Sequence, residues 1–238
     1  MSAEPATLLL RLDDLRKRLL VSLIGVGVGF LVCWNFAPAI FSLLERPLTA
    51  HLAAGEHLAY TTLTEPFLLY MKVAFLAGIF VAAPLILLQL WLFIAPNLPQ
   101  KGRMSSVPFI VFASLFFLTG GYFGYAVLLP YTCGFFLQTG RHFSQMITVD
   151  EYFSFTSSVI LAAGLVFEMP ILIFFLARIG IVTPAFLIQK MKYAILLAFI
   201  IGAILTPPDI ASQVALAVPI ILLYVLGIGI AWAFGKKV

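Results

Sequence analysis

The chain has 238 residues, 63% of them hydrophobic and 10% charged, with a formal net charge of +4, and its mean hydropathy is +1.11. These values exclude a soluble globular domain and point to an integral membrane protein. Apolar segments near or above the roughly 20 residues that cross a bilayer, without the alternating ten-residue pattern of an outer-membrane barrel, predict helical spans.

The first element is the amphipathic stretch "TLLLRLDDLRKRLL", a lead-in helix over residues 1–18 with leucines at 8, 9, 12, 15 and 19. It is expected to lie in the headgroup layer before the chain turns into the membrane. A positive-inside anchor would account for Arg16, Lys17 and Arg18, but not for the adjacent acids Asp13 and Asp14. Six spans follow, over 19–39, 67–94, 107–136, 155–179, 193–206 and 212–234. A cleaved signal peptide ending near Ala37-Pro38-Ala39 is the competing reading of the first. The apolar stretch is longer than a usual h-region and favours an uncleaved span.

Residues 40–66 form an external loop, rich enough in apolar side chains to predict an ordered cap. Prolines recur inside the spans: Pro84, Pro170 and Pro219 are expected kinks, and Pro130 sits in the third span. The fifth span has about fourteen residues and reaches only about 21 Å, short of the roughly 30 Å hydrocarbon thickness. It must thin the bilayer or hide in the bundle. Pro207, Pro208, Asp209 and Gln213 are placed in the external connection before the last span.

Orientation follows from lysine and arginine. Arg11, Arg16, Lys17, Arg18, Lys101, Arg103, Arg178, Lys190, Lys192, Lys236 and Lys237 fall in the N-terminus, alternate loops and the C-terminus. The other loops hold Arg46 and Arg141, and Lys72 lies just inside the second span. Eleven against two predicts cytoplasmic termini, and the pI near 9.1 reflects that asymmetry rather than nucleic-acid binding.

Chemistry within the membrane is sparse. His51, His57 and His142 lie in external segments, which leaves no imidazole in the spans for haem, zinc or a nucleophile pair, and no H-E-x-x-H, G-x-S-x-G or P-loop pattern occurs. No enzyme, metal or cofactor is expected. Cys33 and Cys133 read as small buried hydrophobes. The intramembrane polar residues are Lys72, Gln89 and Glu168. A carboxyl near mid-bilayer costs about 2.5–3.5 kcal/mol on insertion scales, and Pro170 two residues on would free the Val166 carbonyl. Glu168 is therefore either a functional group or a protonated interhelical bond.

The fragments "LDDLRKRLL", "TEPF" with Lys72, "APLILLQLWLFIAPNL", "FEMP", "IVTP", "LTPPDIASQ" and "AVP" resemble, in order and spacing, the TatC family, the polytopic core of the twin-arginine protein translocase. The resemblance implies an all-α fold of six kinked helices forming a concave cup in a prokaryotic-type cytoplasmic (inner) membrane rather than a thylakoid. It also implies a receptor for twin-arginine signal peptides that recruits the single-span subunits TatA and TatB and exports folded proteins on the proton-motive force. The signal-peptide site so implied comprises Asp13, Asp14, Arg16, Phe93, Gly102 and Arg103, with Glu168 and Gln89 as the intramembrane polar site; a homo-oligomer within a larger complex is implied as well. The chain departs from the family at four places. Asp14 stands where a glutamate is usual and Arg11 where a histidine is. Gly102 replaces a glutamate central to arginine-pair binding, and Val225 replaces another. A proton-coupled solute carrier using Glu168, and an inactive assembly scaffold of the same fold, are the competing readings.

Overall fold

The computed structural model describes residues 4–52, 58–95, 106–142, 146–205 and 210–235. Its helices are α1 (Glu4–Trp34), α2 (Ala37–Leu44), α3 (Arg46–Thr49), α4 (Glu65–Ile94), α5 (Ser106–Phe123), α6 (Leu129–Thr139), α7 (Val149–Phe167), α8 (Met169–Ile179), α9 (Pro184–Gln189), α10 (Met191–Leu205) and α11 (Ile210–Phe234). Among the described residues there is no strand, only an isolated parallel bridge between Ala59 and Thr148. Among the described residues, five helical segments are long and apolar enough to cross a membrane, and the apolar helix over Met191–Ile204 is shorter. The six expected spans correspond to α1, α4, α5 with α6, α7 with α8, α10 and α11.

Several boundaries differ from the sequence expectation, each for a local reason. The lead-in and the first span are one unbroken helix, so the expected turn between them is absent. That helix stops at Trp34 rather than near residue 39, because Pro38 has no N–H to offer the Trp34 carbonyl and instead occupies the first turn of α2. The third span runs on to Thr139. A π-helical turn over Gly124–Leu128 joins α5 to α6, and Pro130 falls in the first turn of α6. The fourth span begins at Val149, six residues early, because Thr148 caps it: its Oγ1 accepts the Glu151 N–H at 3.3 Å. Gln213 belongs to α11 and not to the connection before it.

Small residues let the spans approach closely. A side chain on Gly29 would collide with the Gly78 backbone, where α1 crosses α4, and one on Gly120 would meet Ala163 and Phe167 where α5 crosses α7. Around these crossings Val73, Ala74, Leu129, Ala163, Ala217 and Ile220 make the main core.

One end of the bundle is closed by polar ties. The Tyr152 hydroxyl donates to the Leu44 carbonyl at 2.7 Å and Tyr125 donates to Leu43 at 2.8 Å, fastening α2 to the third and fourth spans. The Glu65 carboxylate accepts from Thr61 N–H at 2.7 Å, from the Thr61 hydroxyl at 3.0 Å and from Thr62 N–H at 3.3 Å. Ala59 donates to Ile147 and accepts from Val149, and Lys72 pairs with Asp150. Residues 46–52 and 58–64 thus lie folded against the helices around Leu48, Cys133 and Tyr152.

Candidate functional site

At the other end the helices part. α4, α5, α7 and α8 enclose an apolar cavity of about 600 Å³, whose walls include Leu90, Trp91 and Ile94 of α4, Phe109 of α5, and Leu172 and Ile179 of α8. A second cavity of about 700 Å³, between α1, α4 and α7, carries Lys72, Ser154 and Ser157. The two share Ile79 and Leu161, so they form one trough along the bundle.

Among the described residues, Glu168 is the one charged side chain lining the first cavity. The helical rise is interrupted at this residue: α7 ends at Phe167 and α8 begins at Met169, with Glu168 as the junction. Pro170 is buried in the first turn of α8, where its missing N–H has no partner to lose. The Glu168 carbonyl starts α8 by accepting from Ile171 at 3.1 Å and Leu172 at 3.0 Å. Its carboxylate Oε1 is buried and has no hydrogen-bond partner among the described residues. A carboxylate oxygen in apolar surroundings is costly to leave unmet, so this atom stands ready for a donor brought by water or by a ligand. Pro84 and Pro219, by contrast, lie inside helices that continue through them.

The trough's open end is also the end where α1 begins. α1 runs antiparallel to α4, with Gly25 beside Leu85, Gly29 on Gly78 and the Trp34 ring 5.8 Å from Phe67. At 1.5 Å per residue, Asp14 lies roughly 16 Å beyond Gly25, near the level of the end of α4. Asp13 and Asp14 are already engaged within the helix, Asp13 with Lys17 at 2.7 Å and Asp14 with Arg18 at 2.8 Å. Both carboxylates are about half exposed, 52% and 43%, so these one-turn pairs are weak and open to exchange with another cation. Arg16 is exposed on the same helix.

Other expected site residues fall elsewhere. Gln89 and Phe93 are half-buried on α4 but do not line the trough beside Glu168. The apolar wall near Glu168 includes Trp91, whose ring packs 4.6 Å from Phe109 and 4.7 Å from Phe175. Gly102 and Arg103 lie outside the described residues, as do Pro207, Pro208 and Asp209. Gln213 ties α11 to α10 by donating to the Phe199 carbonyl at 2.9 Å. Val225 is exposed on α11. Among the described residues, no group of three His, Cys, Asp or Glu side chains is placed to hold a metal ion.

Comparison with known proteins places this geometry in context. Residues 11–219 match the sequence model of the family TatC, Sec-independent protein translocase protein. The protein of that name from Koribacter versatilis is 43% identical over 230 residues, covering 95% of this chain and 85% of the relative. That from Desulforapulum autotrophicum is 39% identical, covering 95% and 84%. A crystal structure of the twin-arginine translocase receptor TatC superposes with a TM-score of 0.83 at 34% identity, covering 94% of this chain and 98% of that one.

Proposed function

Because the chain belongs to the TatC family of Sec-independent protein translocase proteins, and is thus a multi-pass membrane component of a translocase, we propose that its trough receives the signal peptide of twin-arginine cargo. The observation that carries this reading is the unpartnered Glu168 carboxylate oxygen in an otherwise apolar trough. An extended or helical apolar segment fits such a wall, and Glu168 offers a hydrogen-bond acceptor to a donor carried on it. Asp13 and Asp14, near the open end, are the acids that meet the arginine pair, since guanidinium groups are bound best by carboxylates in charge-assisted bonds. Arg16, Phe93, Gly102 and Arg103 belong to the signal-peptide site in this reading, Gly102 without the carboxylate that would strengthen it.

The finer placement belongs to the same proposal. The lysine and arginine bias sets both termini and the open end of the trough in the cytoplasm of a prokaryotic-type inner membrane. Single-span TatA- and TatB-like subunits join the occupied receptor, and the proton-motive force drives export of folded cargo. The relatives found are named as translocase proteins, which lends no support to a solute carrier or an inactive scaffold.

The test is site-specific photocrosslinking in membranes. A photoreactive residue at Leu165 or Leu172, both on the trough wall, should capture a twin-arginine signal peptide, and capture should fall when the two arginines are changed to glutamines. The same probe at Leu196, exposed on α10 and away from the trough, should not. Equal capture from Leu165 and Leu196 would end the assignment of the trough as the receptor.

A further inference from the structure

A second apolar cleft lies across α8 from the trough, between α5, α8 and α11. Its volume is about 520 Å³, within the roughly 300–1,000 Å³ of small-ligand sites. Phe109, Phe112, Phe116, Phe174 and Phe234 supply most of the wall, and among the described residues Arg178 is the one charged side chain on it. Arg178 sits in the last turn of α8, is exposed, and joins no ion pair among the described residues. Phe112 and Phe234 are each 55% exposed, so the cleft opens outward from the bundle, toward the surroundings of a membrane helix.

That distribution, one cation at the end of a span and aromatic apolar surface along the rest, is the complement of a molecule with one anionic end and a long apolar body. We propose that this cleft is a binding site for an anionic phospholipid, the Arg178 guanidinium holding its phosphate and the phenylalanine rings holding one acyl chain. Arginine suits the role because its planar donors engage phosphate oxygens in pairs, and its position at the helix end places it at headgroup depth. A transmembrane partner helix presents no anionic group by necessity and would leave Arg178 unmet. The site is independent of the trough, because the two cavities lie on different faces of α8 and share only Phe109 and Ile171.

The experiment is electron spin resonance of the purified full chain in phosphatidylcholine vesicles, using trace spin-labelled phosphatidylglycerol or spin-labelled phosphatidylcholine. The wild type should immobilise the phosphatidylglycerol probe with about fivefold preference, the size of effect one basic residue exerts near an anionic surface. Arg178→Gln should bring that preference close to one, while Lys190→Gln, which removes a cation outside the cleft, should leave it unchanged. Ile230→Trp, which fills the cleft, should lower the immobilised fraction of both probes. Circular dichroism and retained monodisperse elution would show each variant folded. Equal immobilisation of both probes by the wild type, or equal loss with Lys190→Gln, would overturn the proposal and reduce the selectivity to general surface charge.

Discussion

The two ends of the bundle solve opposite problems with the same kind of helix. At the closed end, polar side chains find partners: Tyr152 and Tyr125 reach α2 carbonyls, Glu65 collects three donors, and Lys72 meets Asp150. At the open end the contacts are almost wholly apolar, and the carboxylate that enters them has an oxygen without a partner. Satisfied polar networks fix one arrangement of the helices, whereas an unsatisfied group in a cavity leaves a contact to be completed by something else. The closed end therefore reads as the frame, and the open end as the less tightly specified part.

The sharpest way to break this contrast is to alter one polar group at each end and compare export with stability. Glu168→Ala should lower export of a twin-arginine reporter tenfold or more at unchanged abundance and melting temperature, since loss of a charge-assisted contact is worth about 1.5–3 kcal/mol. Glu168→Gln, which keeps an acceptor, should be milder. Full export by a well-expressed alanine variant would remove Glu168 from function. Loss of abundance in both variants would instead make it a structural bond.

Tyr152→Phe is the converse case and a smaller one. It removes the 2.7 Å bond to the Leu44 carbonyl and leaves that carbonyl buried. The expected cost is about 1–2 kcal/mol of stability, seen as a lower melting temperature in detergent, with export per folded molecule unchanged. If export per molecule fell while melting stayed put, the closed end would be part of the machinery and the division drawn here would fail.

The contrast also explains what could be read from the sequence. Spans were legible because hydropathy and length are local properties, and Glu168 was conspicuous because a carboxylate is rare in such a run. The Thr148 cap is locally written as well, in the Thr-x-x-Glu spacing of Thr148 and Glu151, yet it stands outside the apolar stretch by which a span is recognised. The break at Glu168 was signalled only as a proline kink, because a proline in sequence does not say whether its helix bends or restarts. Least legible was the wall: Trp91, Phe109 and Phe175 come from three helices, and no periodicity within one segment announces a ring contact between segments. Phe93 and Trp91 are two residues apart on one helix, and nothing local in the sequence tells which of them lines the trough.

The smallest expected effect concerns the open end's outer acids. Asp14 is paired with Arg18 one helical turn on, a contact worth only about 0.2–0.5 kcal/mol, so Asp14→Asn should barely move the melting temperature. If the same carboxylate meets an arginine of the signal peptide, the substitution should nonetheless weaken peptide binding several-fold, and more at low salt, where charge interactions are least screened. Gly102→Glu should act in the opposite direction by placing an acid between Lys101 and Arg103. Titration of a fluorescent twin-arginine peptide at two salt concentrations measures both. Tight wild-type binding that is indifferent to both changes would mean that the arginine pair is read by residues other than those at the head of α1 and in the 96–105 connection.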